Sequence, residues 1–390
     1  MNIGLKNNSY LVNFDRILLG LMVFLIVFGI YLQFNIAASL GGEPKQMGMF
    51  VGQLKSLIVA FIIFLLFFYP PWISKFLYSG TYFFWLALLA LLIITLKTDP
   101  ISKSNRWISF MNYSFQPSQL AHPVLIIVFA RIAHKKQELI SKAGIKEFLL
   151  NFWSLLVISG ITFVLIYKGR HLSTLIVLGS TLMTLLFLAG FKKRILLLLT
   201  IIVLCCSIYY VKNGDSYRME RIELWEKYFI PYKYLGIERK TVQSESNQVI
   251  ESITAISQGS ILGTGSDKGR AKHRFLPEIN SDYIYSMIGE QFGFIGGFLI
   301  IIIYCIILFR SALISVTADT FFQKMLVLGL SINIFITAFV NIGVAMSALP
   351  STGLPLPFVS HGGSALVVNV GMFAIILNLS IKRKTVAFNG

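Results

Sequence analysis

Two carboxylates sit where carboxylates are costly. In FLPEINSDYIYSMIGEQFGFIGG (275–297), Asp282 stands at the threshold of a membrane-length apolar run and Glu290 lies inside it. Partial desolvation at such a threshold raises a carboxylate pKa toward the range of a general base. The same position suits a helix N-cap, because Asp and Ser are favoured there and negative charge complements the helix start; Ser281 can equally be the cap and Asp282 the base. Glu290, eight residues on, lies about 12 Å down a helix. At that depth it faces a cavity or a partner, as part of an ion pair or a hydrogen-bonded latch. Lys268, Arg270, Lys272 and Arg274 crowd the residues before Asp282, a cluster that suits anionic headgroups or a solvated face.

The elements that must position these groups are membrane helices. Of the 390 residues, 56% are hydrophobic, mean hydropathy is +0.74, and runs of about 20 apolar residues recur, each long enough for a bilayer core. Candidate spans cover 17–36, 48–69, 77–96, 117–134, 148–167, 171–190, 195–211, 283–309, 321–348 and 363–381. The fourth carries Pro117, His122 and Pro123 and is expected to be kinked or shielded. The expected architecture is an all-α polytopic bundle of about ten transmembrane helices, a single domain over 1–390. The first run is long enough to be a retained span, with no cleavage-site pattern before it.

A net charge of +17 does not indicate nucleic acid here, because the basic residues sit in short clusters between apolar runs. Arg131, Lys135, Lys136, Lys142 and Lys146, then Lys192, Lys193 and Arg194, then Lys382, Arg383 and Lys384 fall on one side of a ten-span map, which places both termini in the cytoplasm. Lys97, Lys103, Arg106, Lys168 and Arg170 fall outside, against the trend. The one long hydrophilic segment, 212–282, is also outside and holds ten of the 17 acidic residues. Within it, YRMERIELWEKYF (217–229) and QVIESITAISQGSILG (248–263) read as amphipathic helices on the membrane surface or the bundle's outer face. Cys205, Cys206 and Cys305 all lie in apolar stretches and read as packing residues.

Three further motifs carry polar or irregular character: RWISFMNYSFQPSQL (106–120), QVIESITAISQGSILGTG (248–265) and LPSTGLPLPFVSHGGSAL (349–366). The last is uncharged and rich in Pro and Gly, as in a re-entrant loop, with Ser360, His361 and Ser364 offering hydrogen bonds. With the 275–297 segment and the span pattern, these motifs resemble the SEDS family of bacterial cell-wall proteins, the FtsW/RodA/SpoVE group. The likeness covers nearly the whole chain and leans toward the division-type members, with the elongation branch left open.

That resemblance implies a peptidoglycan glycosyltransferase of the bacterial cytoplasmic membrane. Its substrate would be lipid II, a disaccharide-pentapeptide on undecaprenyl pyrophosphate, and its partners a class B penicillin-binding protein and other divisome or elongasome membrane proteins. Asp282 matches the family's essential aspartate and becomes the expected base for a sugar hydroxyl. Arg106, Lys268 and Arg274 would hold the departing pyrophosphate, with Trp107 at the membrane interface and Gln116, Ser118, Ser360, His361 and Ser364 toward substrate. Gln119 and His122 stand where the family usually has Glu and Lys, which suggests a Gln–His hydrogen bond in place of a charge pair. Their expected role, like that of Glu290, is structural support. Gln291 replaces a second Glu, His361 replaces Tyr, and HLST (171–174) replaces a P-D-L-G-type motif, so His171 receives no catalytic role. No cofactor and no dedicated metal site are expected, although a divalent cation bridging Asp282 and pyrophosphate is compatible. A lipid II flippase and a non-catalytic scaffold for the transpeptidase are the competing readings.

Overall fold

The computed structural model describes residues 10–39, 44–97, 107–110, 113–169, 171–212, 246–265 and 279–384. Arg106, Lys268, Arg270, Lys272 and Arg274, and the 217–229 amphipathic segment, lie outside these residues.

Long apolar runs satisfy their backbone hydrogen bonds internally, and that requirement dictates the elements. The chain forms α1 (Arg16–Ser39), α2 (Pro44–Phe68), α3 (Ile73–Lys97), α4 (Ala121–Lys135), α5 (Gln137–Ile140), α6 (Ile145–Asn151), α7 (Trp153–Lys168), α8 (Leu172–Ala189), α9 (Lys193–Lys212), α10 (Ser246–Gln258), α11 (Ile284–Val316), α12 (Phe321–Ala345) and α13 (Gly363–Ser380). The ten expected spans overlap helices, but 117–134 begins in a 3-10 turn and 148–167 is broken by a sharp bend. Among the described residues seven helices (α1, α2, α3, α8, α11, α12, α13) are individually long and apolar enough to cross a membrane, and α6 with α7 forms a further pair bent by 73°. The chain is a polytopic helical membrane protein.

Burial sorts these helices into layers. In α12 and α13, 78% of the most apolar window is buried inside the bundle, against 17–39% in the other five spanning helices. The inner pair therefore packs against protein, and α1–α3 turn much of their apolar surface outward. The short α4 is buried along most of its length and packs against α3, α8 and α12, which gives Pro123 and His122 the shielding their position requires.

One end of the bundle is tied by charge. Asp15 Oδ1 accepts from Leu18 N (3.0 Å), so Asp15 caps the start of α1, and Arg310 Nε lies 2.8 Å from Asp15 Oδ2. Asp15 N donates to Ser380 Oγ (3.1 Å), and strand β1 (Tyr10–Asn13) pairs antiparallel with the later strand Lys382–Lys384. Arg131, Lys136 and Lys192 donate to main-chain oxygens of the same end, so the basic clusters gather where α1 begins and α13 ends. The opposite end is polar, and Lys97 and Lys168 close α3 and α7 there. It includes a hairpin of β2 (Ile108–Phe110) and β3 (Tyr113–Phe115), which makes the last strand β4, followed by a 3-10 turn at Pro117–Leu120.

Helix α11 departs from the single straight span that its hydropathy suggests. Gly293 adopts φ 65°, ψ −163°, a kink inside the helix. The residues after α10 fill the break: Thr264 N and Gly265 N donate to Glu290 O (2.9 Å) and Gln291 O (3.1 Å), while Phe294 N and Ile295 N donate to Ser260 O (2.9 Å) and Ile261 O (3.3 Å). Four backbone groups at the kink thus find partners in one strap, as buried peptide groups must. The strap can approach only because its contact residues lack side chains. A Cβ on Gly259 would lie 1.9 Å from Gly289 O, and one on Gly263 would lie 2.1 Å from Gln291 O. The expected amphipathic helix over 248–263 is helical to Gln258 and then becomes this strap. Its buried face is small, built on Ser252, Ala255 and Gly259, and Ser252 Oγ contacts Ser286 Oγ (2.5 Å) and Ala345 O (2.6 Å).

Candidate functional site

The irregular segment 349–362 between α12 and α13 organises the polar end. It has no ladder to satisfy its peptide groups, so side chains from five helices do so. Gln33 of α1 donates to Val359 O (2.9 Å), Ser173 of α8 to Thr352 O, Tyr304 of α11 to Pro357 O (2.5 Å) and Asn341 of α12 to Leu354 O (2.7 Å). Gln53 of α2 accepts from Gly362 N (3.2 Å). Gly29 lets α1 close in, since a Cβ there would lie 2.6 Å from Val359 O. Phe358 is held at φ 69°, a left-handed conformation that costs a bulky residue about 1–3 kcal/mol. Burial of its ring against Phe373, with centroids 5.5 Å apart, helps to hold it there.

This clamped loop fixes the residues around Asp282. Ser360 Oγ donates to Ser281 O (2.6 Å) and accepts from Leu356 N (2.8 Å), and His361 N donates to Asn280 O (2.7 Å). Asn341 Nδ2 bonds Asp282 O (3.0 Å) as well as Leu354 O. The Asp282 carboxylate is partly exposed and lies beside Gly353, where an added Cβ would sit 3.6 Å from Oδ2. Tyr283 occupies the N-cap position of α11 without a side-chain cap bond. Neither Ser281 nor Asp282 therefore stands at the cap, which corrects both N-cap expectations.

A second group lies along the start of α4 and α8. Ser364 Oγ accepts from Gln116 N (3.1 Å) and faces Ser114 O (3.4 Å). The Gln116 amide reaches the His171 ring, whose Nδ1 contacts Thr174 Oγ1 (2.8 Å). His171 was given no role by the sequence, yet it belongs to the same polar end. Ser173 and Thr352 connect this group to the Asp282 loop. Ser118, also expected here, is buried, and Trp107 is partly exposed just before β2.

The expected Gln119–His122 hydrogen bond is not formed. Gln119 Nε2 donates to Gln116 Oε1 (3.4 Å), whereas His122 Nδ1 meets Asn333 Nδ2 (2.9 Å), which also donates to Thr181 Oγ1 (3.1 Å). Gln119 and His122 are three positions apart, but the chain passes from a 3-10 turn into α4 between them, and the two side chains take different neighbours. Glu290 is buried at 1% exposure, under the strap at the α11 kink. Among the described residues, no three His, Cys, Asp or Glu side chains converge as a metal site would require.

Several buried polar atoms at this end have no hydrogen-bond partner among the described residues: Gln33 Oε1, Ser118 Oγ, Asn341 Oδ1 and Thr352 Oγ1. Such atoms are uncommon in folded proteins. A layer of unmatched polar groups beside a partly exposed carboxylate, at the end of an apolar bundle, suits a ligand with a polar head and an apolar tail.

The family model described as cell cycle protein, FtsW/RodA/SpoVE, matches residues 13–385. The chain belongs to this family. A protein of Geobacter metallireducens named "Probable peptidoglycan glycosyltransferase FtsW" is 29% identical over 391 aligned positions, covering 98% of this chain and 99% of the relative. The FtsW/RodA/SpoVE fold is also seen in two solved structures. A chain from a study of polymerization and crosslinking by a peptidoglycan synthase complex superposes with TM-score 0.72 at 20% identity, covering 95% of this chain and 98% of its own. The rod shape determining protein RodA of Thermus thermophilus superposes with TM-score 0.65 at 19% identity, covering 95% and 97%.

Proposed function

We propose that this FtsW/RodA/SpoVE member is an inverting peptidoglycan glycosyltransferase that polymerises lipid II at the outer face of the bacterial cytoplasmic membrane. The observation that carries the proposal is Asp282, held by its backbone in a polar layer at one end of an otherwise apolar bundle. The 4-hydroxyl of one sugar attacks the anomeric carbon of another, the bond from that carbon to pyrophosphate breaks, and the hydroxyl proton passes to Asp282. Arg106, Lys268 and Arg274 are assigned to the leaving pyrophosphate. Trp107, Gln116, Ser118, Ser360, His361 and Ser364 are assigned to substrate, and Gln119, His122 and Glu290 to support. The exposed apolar flanks of the outer helices offer surface for the polyprenyl tail.

The matching topology has ten spans, both termini in the cytoplasm and 212–282 outside. The gathering of basic side chains at the end opposite Asp282 supports that orientation. The partner assigned is a class B penicillin-binding protein transpeptidase, with other divisome or elongasome membrane proteins around it. No resident cofactor is included; a divalent cation would arrive with the pyrophosphate as part of the substrate. A flippase needs a polar path through the bilayer, whereas the His122, Asn333 and Thr181 side chains within the bundle are joined through Asn333, which favours the polymerase.

The test is glycan polymerisation from labelled lipid II by the purified protein with its cognate transpeptidase, wild type against Asp282→Asn. Polymer from the wild type alone is expected. Polymer from both removes Asp282 as the base, and polymer from neither turns the assignment to scaffold or flippase.

A further inference from the structure

Helix α6 turns away from the axis of α7 by 73°. The 16 residues of α7 rise only about 24 Å, short of a bilayer core of roughly 30 Å. The elbow at its start therefore sits at the boundary of the acyl region and not clear of it. It is held from within. Phe148, Phe152 and Phe191 are buried and pack on one another with ring centroids 4.9–5.7 Å apart. Lys136 Nζ lies 5.5 Å from the Phe152 ring centroid, and Glu147 Oε2 accepts from Gly144 N (2.9 Å) at the start of α6.

What the elbow turns outward is apolar and basic at once. Leu149, Leu150 and Trp153 are exposed, and the exposed stripe runs on along α7 through Val157, Ile161 and Val164, at the spacing of one helix face. Beside its beginning stand Lys142, Lys146, Lys192, Lys193 and Arg194, all exposed. Lys192 Nζ donates to Lys142 O (2.7 Å), which brings the turn before α9 against the turn before α6. Among the described residues, none of these five cations forms an ion pair. The neighbouring carboxylates are Glu147, engaged at the start of α6, and Glu138 on α5. Like charges gathered in this way repel, and an anion between them relieves the repulsion.

We infer that this elbow is a docking surface for anionic phospholipid in the leaflet at the basic end. The headgroup phosphate sits between Lys142 and Lys192, and the acyl chains lie against Leu149, Leu150 and Trp153. Apolar side chains edged by lysines are what an interfacial segment presents to anionic lipid. An acidic protein surface would match the lysines but not the stripe that continues into the span. The inference is independent of the polymerase reading.

The test is native mass spectrometry of the full-length protein in detergent, titrated with phosphatidylglycerol or phosphatidylcholine of the same acyl chains. At about fivefold for each of two engaged basic side chains, wild type is expected to prefer the anionic lipid about 25-fold, and Lys142→Gln with Lys192→Gln should bring the two lipids within about threefold. Unchanged binding of phosphatidylcholine shows that this variant is folded. Lys75 and Lys324 flank the Ser74–Gln323 bond between α3 and α12. Changing both to Gln removes as much charge from the same end and should leave the preference intact. Leu150→Gln should weaken both lipids alike, because acyl contact is blind to the headgroup. Equal binding of the two lipids by wild type overturns the inference and leaves the elbow to zwitterionic lipid or a protein. Equal loss of preference in the two double variants also overturns it, reducing the effect to the net charge of that end. Displacement of the bound lipid by soluble glycerol phosphate would remove the lipid as occupant.

Discussion

The loop around Asp282 and the His122–Asn333–Thr181 group are both polar islands in an apolar bundle, but they are built differently. In the first, most bonds run from a side chain to the main chain of a distant segment, as from Gln33 to Val359 and from Asn341 to Asp282 and Leu354. In the second, side chains bond one another between three regular helices. The first arrangement fixes an irregular backbone and leaves polar atoms over, including Asn341 Oδ1 and Thr352 Oγ1. The second closes on itself. Unmatched groups on a clamped loop equip a site to receive a ligand; a matched network between helices holds helices together.

Four substitutions test that contrast, in descending order of expected effect. Asp282→Asn should lower polymerisation from lipid II by about 10²–10⁴-fold, the usual worth of a general base, with thermal stability close to wild type. Next, Gly263→Ala forces a Cβ to 2.1 Å from Gln291 O at a position with φ 89°. It should cost about 3 kcal/mol or more, read as a lowered melting temperature and faster hydrogen exchange in the strap; an unchanged melt would mean that the strap is not docked on the kink. Asn341→Ala removes both bonds to the Asp282 loop and should cost about 1–3 kcal/mol, with activity falling further than stability accounts for. Loss of stability alone would make Asn341 a packing residue. The mildest is Asn333→Leu, since polar pairs between membrane helices are worth about 0.6 kcal/mol on average and about 1.7 at most. A double-mutant cycle with His122→Leu measures that coupling. If Asn333→Leu abolished polymerisation in a folded protein, the distinction between the two islands would fail.

The helices were legible along the chain because a bilayer-length apolar run leaves a backbone only one local way to satisfy its hydrogen bonds. The 349–366 motif was also legible as irregular, from its prolines and glycines. The kink in α11 was less so: a glycine inside an apolar run is common in membrane helices, and the partner that completes this one, residues 260–265, lies some 30 positions earlier. The contact between His171 and the Gln116 amide was not legible because the two residues lie 55 positions apart. Asn341 was missed because a single Asn in an apolar run carries no sign of what it binds.

Residue type and periodicity alone are enough to establish a membrane bundle and its polar motifs, and the resemblance to the FtsW/RodA/SpoVE family singles out Asp282 among the carboxylates. Those signals arise within a few residues of one another. The three-dimensional packing assigned the partners: Gln33 to Val359 and Gln53 to Gly362, each more than 300 residues apart, and His122 to Asn333 instead of Gln119. Local preference says which groups need a hydrogen bond, while the contact that supplies it depends on which helices come side by side.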